Sequence, residues 1–253
     1  MHLTRFRVNS ARPGARRLLS SPQSLHAAVM SSFPTVLPSD SDCPRVLWRV
    51  DHNARAEVFL YVVSPTRPDM THLVEQAGWP AAATDPETPG WQSRPYTPFL
   101  DKLTAGTVWA FRLTANPIHF ARRKDGEPTK RTAHQTSHHQ QRWLIERQER
   151  SGFRIIEKPP ERRLLPHGTT HQGHAHHGDQ YELTVRDRRD LAFTKGSATK
   201  EAVRLVTVTY DGVLEVTDPA ALRRTLTQGL GKAKAYGCGL MTLAPAATTQ
   251  GRA

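Results

Sequence analysis

The chain has 253 residues, room for one large domain or two of modest size. Hydrophobic residues make up 37% of it, and no apolar run approaches the ~18 residues of a membrane-spanning helix, so a helical span is excluded. Against 23 Asp and Glu stand 35 Lys and Arg, a net charge of +12 whose field draws polyanions, nucleic acid first among them. Compositional drift is the bland alternative. Cys43 and Cys238 are the only cysteines and fit no paired metal spacing, which points to a reduced compartment. The first residues, MHLTRFRVNSARPGARR, lack the apolar segment of a signal peptide, so a soluble, cytoplasmic protein is expected.

In chain order, His2–Asn9 alternates apolar and polar residues and reads as a first strand. Residues 10–17 read as a loop carrying Arg12, Arg16 and Arg17. A helix follows from Ser21 to about Phe33, with a serine cap, Pro22 at its first position and Leu25, Val29, Met30 and Phe33 on its apolar face. Residues 45–50 and 57–63 are two further strands. Residues 69–78 form a short helix that Gly78 ends, the proline-rich stretch to Pro98 is loop, and residues 107–114 are a strand. Strand, helix, strand, strand, helix, strand is the ferredoxin-like order shared by RNA-binding modules.

Residues 116–141 lack periodicity and carry Arg122, Arg123, Lys124, Lys130 and Arg131, which suggests a basic connector. A helix is expected over 141–150 and a strand over 153–156, then a low-complexity insert over 159–179. The stretches 181–193 and 202–210 read as a hairpin, Asp211 and Gly212 as a tight turn into a strand at 213–216. Asp218 and Pro219 open a helix to about Gln228. The expected fold is α+β, two tandem ferredoxin-like domains: 1–117, a linker at 118–140, and 141–253.

The stretch QGLGKAKAYGCGLMTLAP, residues 228–245, holds Gly229, Gly231, Gly237 and Gly239 with Lys232 and Lys234 between them. Glycines let a ligand approach backbone N–H groups, and the lysines add charge, so the loop reads as a phosphate cradle. It is not a P-loop, since no Ser or Thr follows a Gly-Lys pair. His26 falls among Leu25, Met30 and Phe33 on the helical wheel. It is either a core histidine or a neutral base able to take the proton of a ribose 2′-OH. The run His167, His171, His174, His176 and His177 could surround a metal, but its Gly, Thr and Gln setting favours a simple insert, as it does for His134, His138 and His139. The hairpin carries Arg186, Arg188, Arg189, Lys195, Lys200 and Arg204, either a groove-binding ribbon or a solvated face.

These residues together resemble the CasE-type CRISPR repeat endoribonuclease, the RNA-processing subunit of type I-E Cascade. The resemblance rests on RPGARRLLSSPQSLHAAV at 12–29, LWRVD at 47–51 and FRLTANP at 111–117. Trp143 and Leu144, followed by Gly152 and Phe153, and the loop GLGKAKAYGCGL at 229–240 complete it. It implies a metal-independent enzyme without cofactor that cuts repeat transcripts at the base of a stem-loop. The ends would be a 2′,3′-cyclic phosphate (or 3′-phosphate) and a 5′-OH. The enzyme would stay on the crRNA with other Cascade subunits, away from any membrane. By the same resemblance His26 is the catalytic histidine, and Arg186, Arg188 and Arg189 lie in the groove-reading hairpin, which Asp187 interrupts. Gln23 stands where some members have tyrosine. It can hydrogen-bond a phosphate or 2′-OH one helical turn from His26 but has no phenolic proton. Ala27 and Ser31 replace basic residues of some members, which leaves Lys232, Lys234, Arg16 or Arg17 to meet the transition-state charge. The competing readings are a non-catalytic RNA-binding subunit and a metal-dependent protein built on the histidine insert.

Overall fold

The computed structural model describes residues 1–35, 43–53, 55–79, 90–121, 130–163, 170–171, 174–175, 179–194 and 202–246. Its first half runs β1 (His2–Val8), α1 (Pro13–Ser20), α2 (Pro22–Met30), β2 (Leu47–His52), β3 (Val58–Ser64), α3 (Thr71–Ala77) and β4 (Trp91–Pro95). The strands make one antiparallel sheet in the order β2-β3-β1-β4. Alternation drives β1: Thr4, Phe6 and Val8 are buried while Arg5 and Arg7 face water. Phe6, Leu60 and Val62 of the sheet meet Leu18, Leu25, Val29, Leu73 and Val74 of the three helices in one cluster.

Two expectations fail in this half. Residues 13–20 are a helix, not a loop: Pro13 suits its first position, and Ala15 and Leu18 are buried one turn apart. Gly14 lets α1 lie against α3, because a Cβ there would be 2.3 Å from the Gln76 carbonyl oxygen. The proline-rich stretch contains β4, whose closing Pro95 is tolerated on an edge strand.

The second half runs α4 (Thr97–Asp101), β5 (Val108–Ala115), β6 (Ile118–Ala121), β7 (Lys130–Ala133), α5 (Ser137–Ile145), β8 (Phe153–Ile155), β9 (Thr170–His171) and β10 (His174–Ala175). It continues with β11 (Leu183–Thr194), β12 (Ala202–Val216), α6 (Pro219–Gln228) and β13 (Met241–Pro245). Its main sheet is ordered β11-β12-β5-β13, and β8 pairs with the far end of β12. The path β5-α5-β11-β12-α6-β13 repeats the ferredoxin order, so the α+β, two-sheet architecture is as expected.

The division between the halves is not at residue 117. The strand at 108–115 lies in the second sheet between β12 and β13, and its Phe111, Leu113 and Ala115 are buried in the core. The sheets therefore divide between β4 and β5. The expected connector is also structured: β6 and β7 pair from Ile118↔Ala133 to Ala121↔Lys130, and α5 begins at Ser137 under a Thr136 cap rather than at Gln141. No turn falls at Asp211 and Gly212. β12 runs straight through them, since Gly212 packs where a Cβ would be 2.4 Å from the Glu182 carbonyl oxygen and Phe111 lies opposite. Lys195, Lys200, His167, His176 and His177 lie outside the described residues.

Both halves share one core. Leu47 and Val63 of the first sheet join Leu113 and Val208 of the second, Leu226 of α6 and Leu240 of the loop before β13. Arg49, 1% exposed, bolts them together. Its five N–H groups bond the Arg112 and Leu240 carbonyls, Thr242 Oγ1 and both oxygens of Asp51, at 2.6–3.0 Å. Among the described residues no helix is long and apolar enough to cross a membrane.

Candidate active site

The glycine-rich loop leaves α6 and enters β13 through four glycines that all need positive φ, from 79° to 91°. Gly237 is doubly fixed: a Cβ would stand 2.7 Å from the Trp48 ring. The loop's 3-10 turn, Lys234–Tyr236, packs against α2. The loop, Trp48 of β2 and His26 of α2 therefore meet at the seam between the sheets.

Ser21 caps α2 by accepting the Ser24 N–H, and Leu25 and Val29 anchor the helix in the core. His26 is left half-buried beside Trp48. The indole Nε1–H donates to His26 Nδ1 at 3.3 Å. That bond uses the lone pair of Nδ1, so the neutral ring carries its own proton on Nε2. Burial lowers the imidazole pKa from its usual 6.5, which keeps the ring neutral at pH 7. Gln23 lies one turn before it, with its amide unbonded among the described residues.

A cleft opens beside this group, lined by Pro22 and Leu25 of α2, Trp48 of β2, Tyr236 and Gly237 of the loop, and the β11–β12 ribbon. Asp187 shapes the ribbon side. Its φ of 53° and the jump in register from Arg186↔Thr209 to Arg189↔Thr207 mark a β-bulge. Residues three apart normally face opposite ways along a strand. The extra residue turns Arg186 and Arg189 onto the cleft together, and sends Arg188 to Gln135 at 2.6 Å. The interruption noted in the basic run is thus what aligns two of its arginines.

The cations differ in how free they are. Arg186 is held by Asp211 and Asp187. Burial would raise the Asp211 pKa, but hydrogen bonds from Arg112 and Arg186 outweigh it and hold the carboxyl below its usual range. Arg189 has no ion pair among the described residues, and its charge helps burial to lower the His52 pKa at the same cleft. Lys234 is half-buried, and burial, then Arg45 and Lys232, lower its pKa. A bound phosphate would relieve that repulsion. Arg16 and Arg17 are exposed on α1. Arg12 Nη1 bonds the Val74 and Gly78 carbonyls at 3.2 and 3.3 Å, closing the C-terminal end of α3.

The sequence reading singled out His26, Gln23, Lys232, Lys234 and the glycines; the turn that carries Lys234 packs against the helix of Gln23 and His26, whereas Lys232 faces two further cavities on the other side of the loop. It missed Trp48, Tyr236, Arg112 and Asp211. Only the loop's single aromatic could have drawn attention beforehand. Among the described residues no group of three or more His, Cys, Asp or Glu is arranged to hold a metal.

Comparison with known proteins places these features in context. A family model described as CRISPR associated protein matches residues 1–245. The chain is 30% identical over 248 residues to the CRISPR-associated endoribonuclease Cse3 of Thermus thermophilus, covering 97% of this chain and 100% of that one. Over 42 residues it is 48% identical to the Cascade subunit CasE of Escherichia coli, 17% of this chain and 21% of that one. Its fold is similar to Thermus thermophilus Cse3 bound to an RNA representing a pre-cleavage complex, with TM-score 0.67, 26% identity, and 96% and 98% of the two chains covered.

Proposed function

We propose, because the chain belongs to the CRISPR-associated protein family, that it is a metal-independent endoribonuclease. It cuts CRISPR repeat transcripts at the base of a stem-loop. The observation that carries this reading is the seat of His26. A neutral, half-buried imidazole lies beside a four-glycine loop with two lysines, in a chain similar along its whole length to an endoribonuclease.

The reaction asks little of the protein beyond proton transfer and charge. Nδ1 of His26 takes the proton of the ribose 2′-OH once that hydroxyl displaces the Trp48 indole. The oxygen attacks the adjacent phosphorus, and the bond to the 5′-oxygen breaks. The imidazolium then returns a proton to the departing oxygen, leaving a 2′,3′-cyclic phosphate and a 5′-OH. Lys234 and the loop N–H groups face the charge that develops on phosphorus. Gln23, at the tyrosine position of some relatives, orients the phosphate or hydroxyl without donating a phenolic proton. Arg189 and Arg186 hold the stem backbone on the ribbon, with the terms that Lys195 and Lys200 add lying beyond the described residues.

The product stays bound, and the chain works as a Cascade subunit in the cytoplasm, a reading that its likeness to CasE and its two free cysteines support. Incubating a repeat stem-loop with the protein in excess chelator tests the chemistry. A single cut with a 2′,3′-cyclic phosphate and a 5′-OH is expected. Cleavage that stops on chelation and returns with a divalent cation would exclude the mechanism. Binding without any cut would make the chain a non-catalytic RNA-binding subunit.

A further inference from the structure

Three cavities ring the glycine-rich loop in series. The first is the cleft beside Trp48 and α2, which reaches Leu191 and Tyr236. The second, about 710 Å³, shares those two residues and lies between the β6–β7 hairpin and the β11–β12 ribbon, bordered by Arg204 and Lys232. The third, about 490 Å³, shares Ile118 and Lys232 with the second and ends against α5. A chain leaving the cleft can therefore follow one trough from Tyr236, past Lys232, to α5.

The end of that trough has a distinct chemistry. The rings of His119 and His134 stack at 4.4 Å, with His139 at 5.8 Å from His134. Burial, then the charges of His119 and His139, push the His134 pKa down to about 4, so the central ring of this stack is neutral at pH 7. Phe120 stands at the rim, 64% exposed. Arg142, Arg147, Arg150 and Lys232 line the pocket against a single carboxylate, Glu146, which Arg142 already engages at 2.7 Å. Trp143 is 2% exposed, and its indole Nε1–H is buried without an acceptor. Surplus cations, an orphaned donor and aromatic faces together describe a seat for a phosphate with an attached base. A small anion would leave the exposed phenyl ring unused, and an apolar peptide would leave the arginines unused.

We propose that this pocket binds single-stranded RNA flanking the stem, guided there from the cleft beside Trp48 around the glycine loop. The proposal rests on the endoribonuclease reading for its ligand, though not for its geometry. Phe120 and the histidine rings take a base, while Arg150 and Lys232 take the phosphates.

Equilibrium binding of three RNAs, each with a 2′-deoxy sugar at the scissile position, tests it. One is the bare stem-loop, one adds the 5′ flank and one adds the 3′ flank. Phe120→Ala and Arg150→Ala are the variants, both exposed enough to leave the fold intact. Phe120→Ala should weaken a flanked RNA roughly five- to tenfold, the lower range for one stacked base, and Arg150→Ala should weaken the same RNA through a lost phosphate contact. Each should leave the bare stem-loop unchanged. Arg150→Ala should also lower the salt slope for that flanked RNA by about 0.7, one single-strand phosphate contact. Whichever flank responds is the one that occupies the pocket. Equal losses on all three RNAs, or no loss on either flanked one, would overturn the proposal while leaving the cleavage reading standing. Wild-type protein that binds none of the three would overturn both.

Discussion

Trp48 and His26 act as a pair, because the indole occupies the lone pair that the reaction needs. The bond also favours the neutral ring, adding to burial. Protonation abolishes the base, so the single-turnover rate should be flat from neutral pH upward and fall only below pH 6.5. Trp48→Phe keeps the packing against Gly237 and removes the donor. A neutral hydrogen bond contributes about 0.5–1.5 kcal/mol. Losing it should raise the His26 pKa of the RNA-free protein by up to about one pH unit, moving upward the acid limb of the rate measured at subsaturating protein, which reports the free state. An unmoved limb would show that the indole does not set the state of the ring. His26 was legible in the sequence as a histidine on the wrong side of a helical wheel. Trp48 was not, since nothing in periodicity joins a helix residue to a strand residue 22 positions on.

At the scale of elements, patterning served wherever one face is buried. β1, α2 with its serine cap, α3 ended at Gly78, and α6 under Asp218 all follow from alternation and capping. Among the features that escaped, three did so because a second rule masked the first. The arginines of α1 hide the spacing of Ala15 and Leu18. The closing proline of β4 reads as a loop, although on an edge it costs no ladder bond. Asp211 and Gly212 are a hairpin signal in isolation, but pairing with β5 along eight consecutive positions, Val208↔Ala115 to Glu215↔Val108, keeps β12 straight. The bulge at Asp187 shows the converse. Composition marked it as a flaw in a basic run, whereas its backbone brings Arg186 and Arg189 to the same cleft.

For the whole molecule, topology and charge were readable, but the joint between the halves was not. The strand order of a ferredoxin-like unit does not say to which sheet a strand at the seam belongs, so β5 was placed with the wrong neighbours. Arg49 sits at that seam with all its donors satisfied across three strands. Its removal leaves the Asp51 carboxylate only the longer contact to Arg112, at 3.6 Å, and opens the shared core. Arg49→Ala should lower unfolding stability by about 3–5 kcal/mol, read by denaturant titration, as for other broken buried pairs. A loss under about 1 kcal/mol would mean that the apolar core alone joins the halves. Fixing the two sheets together is also what holds α2 against the glycine loop, so the catalytic proposal depends on this joint.

The most direct test of the account compares wild type with His26→Ala on one labelled repeat stem-loop, following cleavage under single-turnover conditions and binding on the same preparation. The account predicts a rate lower by about 10²–10⁴ with affinity essentially unchanged. Cutting at the wild-type rate by the variant, with or without weakened binding, would contradict it.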